Sequence, residues 1–219
     1  MLDFDAEPTN AAEVASLDSG ALQNITNPRT FLDGGVQWSV QTGGGDGAAL
    51  FDTTCSYGFG TNGCAGDPDL FVSNQANADN VSGNVLIQQE SNNPGSPDDD
   101  ARTNSIVLTL LSDITLEWTG ASAVDDGFYR FLFGGSELGT IDIASDNQTG
   151  SVVFGTTALL QQNDSITVLF ERSATNSRGA SGAVDNFTFN VPAVPIPASL
   201  PLLMGGFGLM AFMRRRRKA

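Results

Sequence analysis

SIVLTLLSDITLEW, residues 105–118, and FYRFLFGGSELGTIDI, residues 128–143, decide how this chain folds. Both are dense in β-branched, aliphatic and aromatic residues, and neither carries a helical period. Strands are expected over 105–111 and 114–118, separated by Ser112 and Asp113. The run 128–133 reads as a strand buried on most sides. Gly134 and Gly135 then turn the chain into a further strand over 137–143.

Working outward, residues 151–154, 165–170 and 183–189 read as strands. Upstream, 36–40 alternates cleanly, 48–51 follows a glycine turn at 43–47, and 70–72 and 84–88 read as short strands. Residues 2–5 alternate apolar and acidic like a half-buried strand, and 6–34 are mixed, with one or two helical turns over 11–17. The total is about ten to twelve short strands at the spacing of a β-sandwich or jelly roll. Nothing supports βαβ units, and no internal repeat is visible.

Composition narrows the chemistry. The chain has no histidine, which removes the usual general base, the Ser-His-Asp triad and most zinc and iron sites. Five of its ten basic residues lie in 214–218, so residues 1–213 carry 25 acids against 5 bases, a net of −20. Such a surface repels nucleic acid and anionic lipid. It suits a divalent-cation binder, or a solvated protein in a salty exterior.

The C-terminal stretch has three parts. Val194, Pro195, Ile196, Pro197 and Ala198 form a proline-spaced motif; residues 200–213 are uncharged and apolar; Arg214, Arg215, Arg216, Arg217 and Lys218 follow. With its flanks the apolar run approaches the roughly 17–25 residues of a membrane span. A basic cluster directly after a span marks the cytoplasmic side and places the body of the protein outside. This order resembles the PEP-CTERM class of bacterial sorting signals, in its VPLPA variant. The resemblance covers about the last 26 residues. It implies recognition by an exosortase-type membrane protease and a place in the cell envelope, on the cell surface or in secreted material. No glutamate stands between Pro195 and Pro197, a departure from the family pattern. An ectodomain of this kind needs an export signal, and residues 1–5 have neither a basic nor an apolar signal-peptide region, so that signal is expected to be missing from this chain.

A second resemblance lies in the closing strand. Gly182, Ala183, Val184, Asp185 and Asn186, with Phe189, look like the last strand of lectin-like and carbohydrate-binding-module-like jelly rolls. The stretches 66–70 and 84–90 resemble a pattern of the same surface ectodomains. The expected organisation is therefore an all-β, jelly-roll sandwich over 1–190, a linker and sorting motif over 191–199, a single transmembrane helix over 200–213 and a cytoplasmic basic tail over 214–219.

Calcium is the expected cofactor, because it takes six to eight oxygen ligands. Asp67 and Asp69 flank a stiffening proline, Glu90 closes a strand, and Asp98, Asp99 and Asp100 form a dense anionic loop. The jelly-roll resemblance adds Asp5 and Asp185 as a pair on the terminal strands. The alternative is solvated acidic loops. Cys55 and Cys64 are expected to form a disulfide if the chain is exported, and to be free thiols if it is not. Gly58, Gly60 and Gly63 match a dinucleotide fingerprint by letter, but no helix follows to hold a phosphate, so they read as a turn.

An enzyme would need paired carboxylates, for which Glu90, Glu117, Glu137 and Glu171 are available. Nothing in the sequence pairs them, and no catalytic residue is expected. Trp38, Trp118, Tyr57 and Tyr129 serve either sugar stacking or the core. The functional expectation is a non-enzymatic surface or matrix protein that binds polysaccharide with calcium in support. The alternatives are a purely structural or adhesive protein, or a polysaccharide hydrolase or lyase.

Overall fold

The computed structural model describes residue 2 and residues 24–25, 29–33, 35–42, 48–52, 84–88, 104–144, 148–172 and 182–192. Twelve strands lie among them: β1 (Asn24–Ile25), β2 (Arg29–Asp33), β3 (Val36–Thr42), β4 (Ala48–Asp52), β5 (Asn84–Gln88), β6 (Asn104–Leu110), β7 (Leu116–Val124), β8 (Gly127–Phe133), β9 (Ser136–Ile143), β10 (Thr149–Leu160), β11 (Ser165–Glu171) and β12 (Ala183–Asn190). The expected strands at 36–40, 84–88, 105–111, 128–133, 137–143, 165–170 and 183–189 are present within a residue or two at each end.

The strands form two six-stranded sheets, ordered β1-β4-β5-β12-β7-β10 and β2-β3-β6-β11-β8-β9. All pairings are antiparallel. From β5 onward the chain folds like one long hairpin bent at the tight β8–β9 turn. β8 pairs β9 within one sheet, β10 returns to β7, β11 to β6 and β12 to β5, and apart from the β8–β9 hairpin successive strands from β5 onward alternate between the sheets. Gly134 and Gly135 both take positive φ (57° and 79°), which explains the paired glycines at that turn.

Inward residues of both sheets meet in one core. Trp38, Ile106, Leu108, Tyr129, Phe131, Val168 and Phe170 come from one sheet, and Leu86, Trp118, Phe154, Val184 and Phe187 from the other. The alternation buried–half-buried along β11 is the period of two expected of a sheet with one wet face. Trp118 is the hub: its ring lies 4.7 Å from Phe154, 6.0 Å from Phe187 and 6.1 Å from Phe131, centroid to centroid. Its indole N–H donates to the Gly120 carbonyl at 3.0 Å.

Leu2 enters the same core, 1 % exposed, and exchanges backbone hydrogen bonds with Phe187 at 2.8 and 2.9 Å. The strand expected over 2–5 is thus described only at Leu2. Leu2→Ala is expected to cost about 2–5 kcal/mol, as for other buried leucines. A urea melt showing a loss below about 1 kcal/mol would contradict the burial of this side chain.

The expected helical turns at 11–17, the strand at 70–72, Cys55 and Cys64, Tyr57, and residues 193–219 with the sorting motif, the apolar run and the arginines lie outside the described residues. Among the described residues no helix is long and apolar enough to cross a membrane.

Candidate functional site

The two sheets differ on their outer faces. Leu86, Ala121, Ala123, Val184 and Phe187 point into the core, so by alternation Val85, Ile87, Ser122, Val124, Ala183 and Asp185 point the other way. These six are nonetheless buried. Among the described residues, β5, the start of β12 and the end of β7 therefore present no open outer face.

Asp185 belongs to this buried region. Its strand neighbour across β7 is Ser122, and Asp125, Asp126 and Asn186 are buried nearby in sequence and register. Of the carboxylates expected to bind calcium, only Asp185 is described. Asp5, Asp67, Asp69, Glu90, Asp98, Asp99 and Asp100 lie outside the described residues. Among the described residues no group of three acids or cysteines is placed to hold a metal ion.

What the closing motif does locally is clear from its geometry. Gly182 has φ +118°, and a Cβ there would overlap the Tyr129 hydroxyl and meet the Val124 carbonyl oxygen at 2.6 Å. That hydroxyl lies 2.7 Å from the Val124 carbonyl oxygen and 3.0 Å from that of Asp125, tying the β7–β8 corner. Asn186, at φ 50°, sits where the β12–β7 register shifts between Asp185 and Thr188. Left-handed backbone favours glycine and asparagine. Gly182 and Asn186 thus shape the last strand.

The outer face of the second sheet is open. Register places four outward rows across its strands. Ser39, Thr109 and Ser165 form the first, with the Thr109 and Ser165 hydroxyls hydrogen-bonded at 2.7 Å. Gln41, Val107, Thr167, Leu132 and Glu137 form the second. Ser105, Leu169, Arg130 and Thr140 form the third. Glu171, Phe128 and Asp142 form the fourth. Nearly all are half-buried or exposed, as side chains standing on a solvated sheet should be.

Arg130 is the centre of this face. Its Nε donates to Glu137 Oε2 at 2.7 Å and its Nη1 to Glu171 Oε1 at 3.2 Å. The three side chains are 33 %, 44 % and 30 % exposed, so the group is wet but not free-swinging. The Glu137 hydrogen bond, then that of Glu171, raises the Arg130 pKa above its ordinary value, so its charge is permanent. Phe128, half-buried two residues before Arg130 on the same face, supplies an apolar flank about 7 Å away along the strand.

The sequence named Glu137 and Glu171 only as available acids and did not name Arg130. The structure brings the three together because β8 lies between β9 and β11. Glu117 lies on the other sheet and accepts a hydrogen bond from the Thr157 hydroxyl at 2.8 Å. Trp38, Trp118 and Tyr129 are at most 1 % exposed, so they serve the core and stack on no ligand.

No family model matches the chain, and no curated protein matches it. Among solved structures, the chain is similar to a PA14 sugar-binding domain from an RTX adhesin, at 14 % identity over 67 % of this chain and 77 % of that one, with a TM-score of 0.27. So loose a likeness carries no argument about ligand or activity.

Proposed function

We propose that this chain is an exported, non-enzymatic surface protein whose sandwich binds polysaccharide on the open face of its second sheet. The strand order described above supports reading the sandwich as a jelly roll, with β1, β4, β2 and β3 added at two edges. In this reading residues 194–218 are the sorting signal for an exosortase-type membrane protease, with the apolar run as a temporary membrane anchor.

The observation that carries the ligand assignment is the Glu137–Arg130–Glu171 array beside Phe128. Sugars are recognised by side chains that hold hydroxyl donors and acceptors in place beside an apolar patch. Arg130 has five N–H donors, two of which make the bonds above, and each carboxylate has acceptor capacity beyond the one bond it gives. Fixing these groups on strands rather than loops lowers the ordering cost of binding. Calcium belongs to the proposal as support from the acidic loops, not as part of this array.

Binding of the full chain to a panel of polysaccharides, in chelator and again in millimolar calcium, tests both parts. Arg130→Met is expected to weaken binding at least about tenfold, roughly 1.4 kcal/mol. It should change folding stability by no more than about 1 kcal/mol, as for other wet ion pairs. Absence of binding to any polysaccharide in either condition would sink the assignment. Calcium-independent binding would remove calcium alone.

A purely adhesive role is the second reading. Val153 and Leu159, 85 % and 56 % exposed, stand on edge strand β10, an arrangement suited to self-association. Sedimentation showing concentration-dependent assembly, abolished by Val153→Lys, would favour it.

A further inference from the structure

We propose that the stretch around Leu2 is an exchangeable strand. In a single molecule it pairs with its own β12, and in an assembly the Leu2 of a second copy takes that place. The inference goes beyond the polysaccharide reading and does not depend on it.

The place that Leu2 fills is built into the last strand. β5 pairs β12 only at Ala183 and Val184. The register of β12 against β7 shifts between Asp185 and Thr188. Phe187 lies inside that shift and forms an antiparallel bridge with Leu2. The Leu2 N–H donates to the Phe187 carbonyl at 2.8 Å, and the Phe187 N–H donates to the Leu2 carbonyl at 2.9 Å. The Leu2 side chain then enters the core cluster that holds Trp118, Phe131 and Phe187. Backbone pairing plus a buried apolar side chain is how a sheet accepts a strand from another molecule.

The connection to the rest of the chain leaves the choice of molecule open. Residues 3–23 separate Leu2 from β1, which lies at one edge of the same sheet, three strands from β12. Three strand spacings are about 14 Å. A connection of about twenty residues reaches at most on the order of 70 Å. Exchange keeps every contact that the closed molecule makes, so it needs no new interface. Concentration then decides, because a tethered strand competes at an effective concentration on the order of millimolar. Dilute chains close on themselves, and chains crowded together exchange. Mutual exchange closes a dimer, and one-way exchange runs on as a fibre.

The test places a photoreactive leucine analogue at position 2 of the full chain. This chain is unfolded and refolded, in mild detergent, with an excess of isotopically heavy parent. After illumination, mass spectrometry reads whether position 2 is joined to the β12 peptide of its own copy or of a heavy one. Own-copy products are expected at about 1 μM protein, and at least about a fifth heavy-copy products at about 1 mM. Association through the apolar C-terminal stretch would not place position 2 on a heavy β12. A second measurement adds a peptide of residues 1–8 to full-chain Leu2→Ala. At about 1 mM the peptide should restore at least half of the thermal midpoint lost, and the same peptide carrying Leu2→Ala should restore none. Products confined to one copy at both concentrations overturn the exchange, as does a peptide that leaves the Leu2→Ala midpoint unchanged.

Discussion

Gly182→Ala is expected to destabilise the fold by about 3–5 kcal/mol. Two causes add. Alanine at φ +118° costs about 1–3 kcal/mol of backbone strain. Its Cβ also displaces the Tyr129 hydroxyl from the Val124 and Asp125 carbonyls, which are buried at the β7–β8 corner. Leaving buried carbonyls unbonded costs about 1–3 kcal/mol. The cause can be separated from simple strain. Tyr129→Phe alone is expected to cost about 1–3 kcal/mol. Combined with Gly182→Ala it should cost less than the two added, because the oxygen that the new Cβ would strike is gone. The remaining approach to the Val124 carbonyl oxygen, at 2.6 Å, keeps the rescue partial. Denaturant melts of the four proteins give the coupling directly. Strict additivity would show that the hydroxyl is not what excludes a side chain at position 182.

Trp118→Ala is expected to be as damaging, about 3–5 kcal/mol from lost burial and the cavity left behind. The indole is fully buried between the sheets. It touches rings from β8, β10 and β12, so one truncation loosens three strands across both layers. The Gly120 carbonyl also loses its indole donor. Trp118→Phe should recover more than half of the loss, since the larger part is apolar volume. A urea midpoint for Trp118→Ala within about 1 kcal/mol of the parent would mean that the aromatic hub is not packed as described. The contrast with Arg130→Met is useful. Core changes lower stability, while the change on the open face is expected to affect binding with the fold intact.

Two strands show where pattern reading stops. Residues 119–124 extend β7 well past the expected end at Trp118, although Gly120, Ala121, Ser122 and Ala123 have weak strand preference. They are extended because β10 pairs on one side and β12 on the other. A Cβ at Gly120 would strike the Val152 backbone carbonyl, so the small residue records a close approach of neighbouring chain. β10 likewise runs to Leu160 rather than ending at Phe154, and the register shift between Val153 and Ala158 breaks the alternation that would have revealed it. β1 and β2 lie in a stretch read as mixed, where no period of two stands out.

Alternation and strand-rich composition by themselves determined that the described part of this chain is all-β, where most strands of the second half lie, and that Arg130 and Glu137 sit on strands; Glu171 falls one residue past the strand expected over 165–170. Side-chain period is a local property, carried by consecutive residues, so one sequence is enough to read it. Only the tertiary structure decided that β8 sits between β9 and β11, that Arg130 meets an acid from each, and that one sheet face is open while part of the other is buried. Arg130 and Glu171 are 41 residues apart in the chain. Their meeting depends on which strands the whole hairpin brings side by side, and no local pattern encodes that choice.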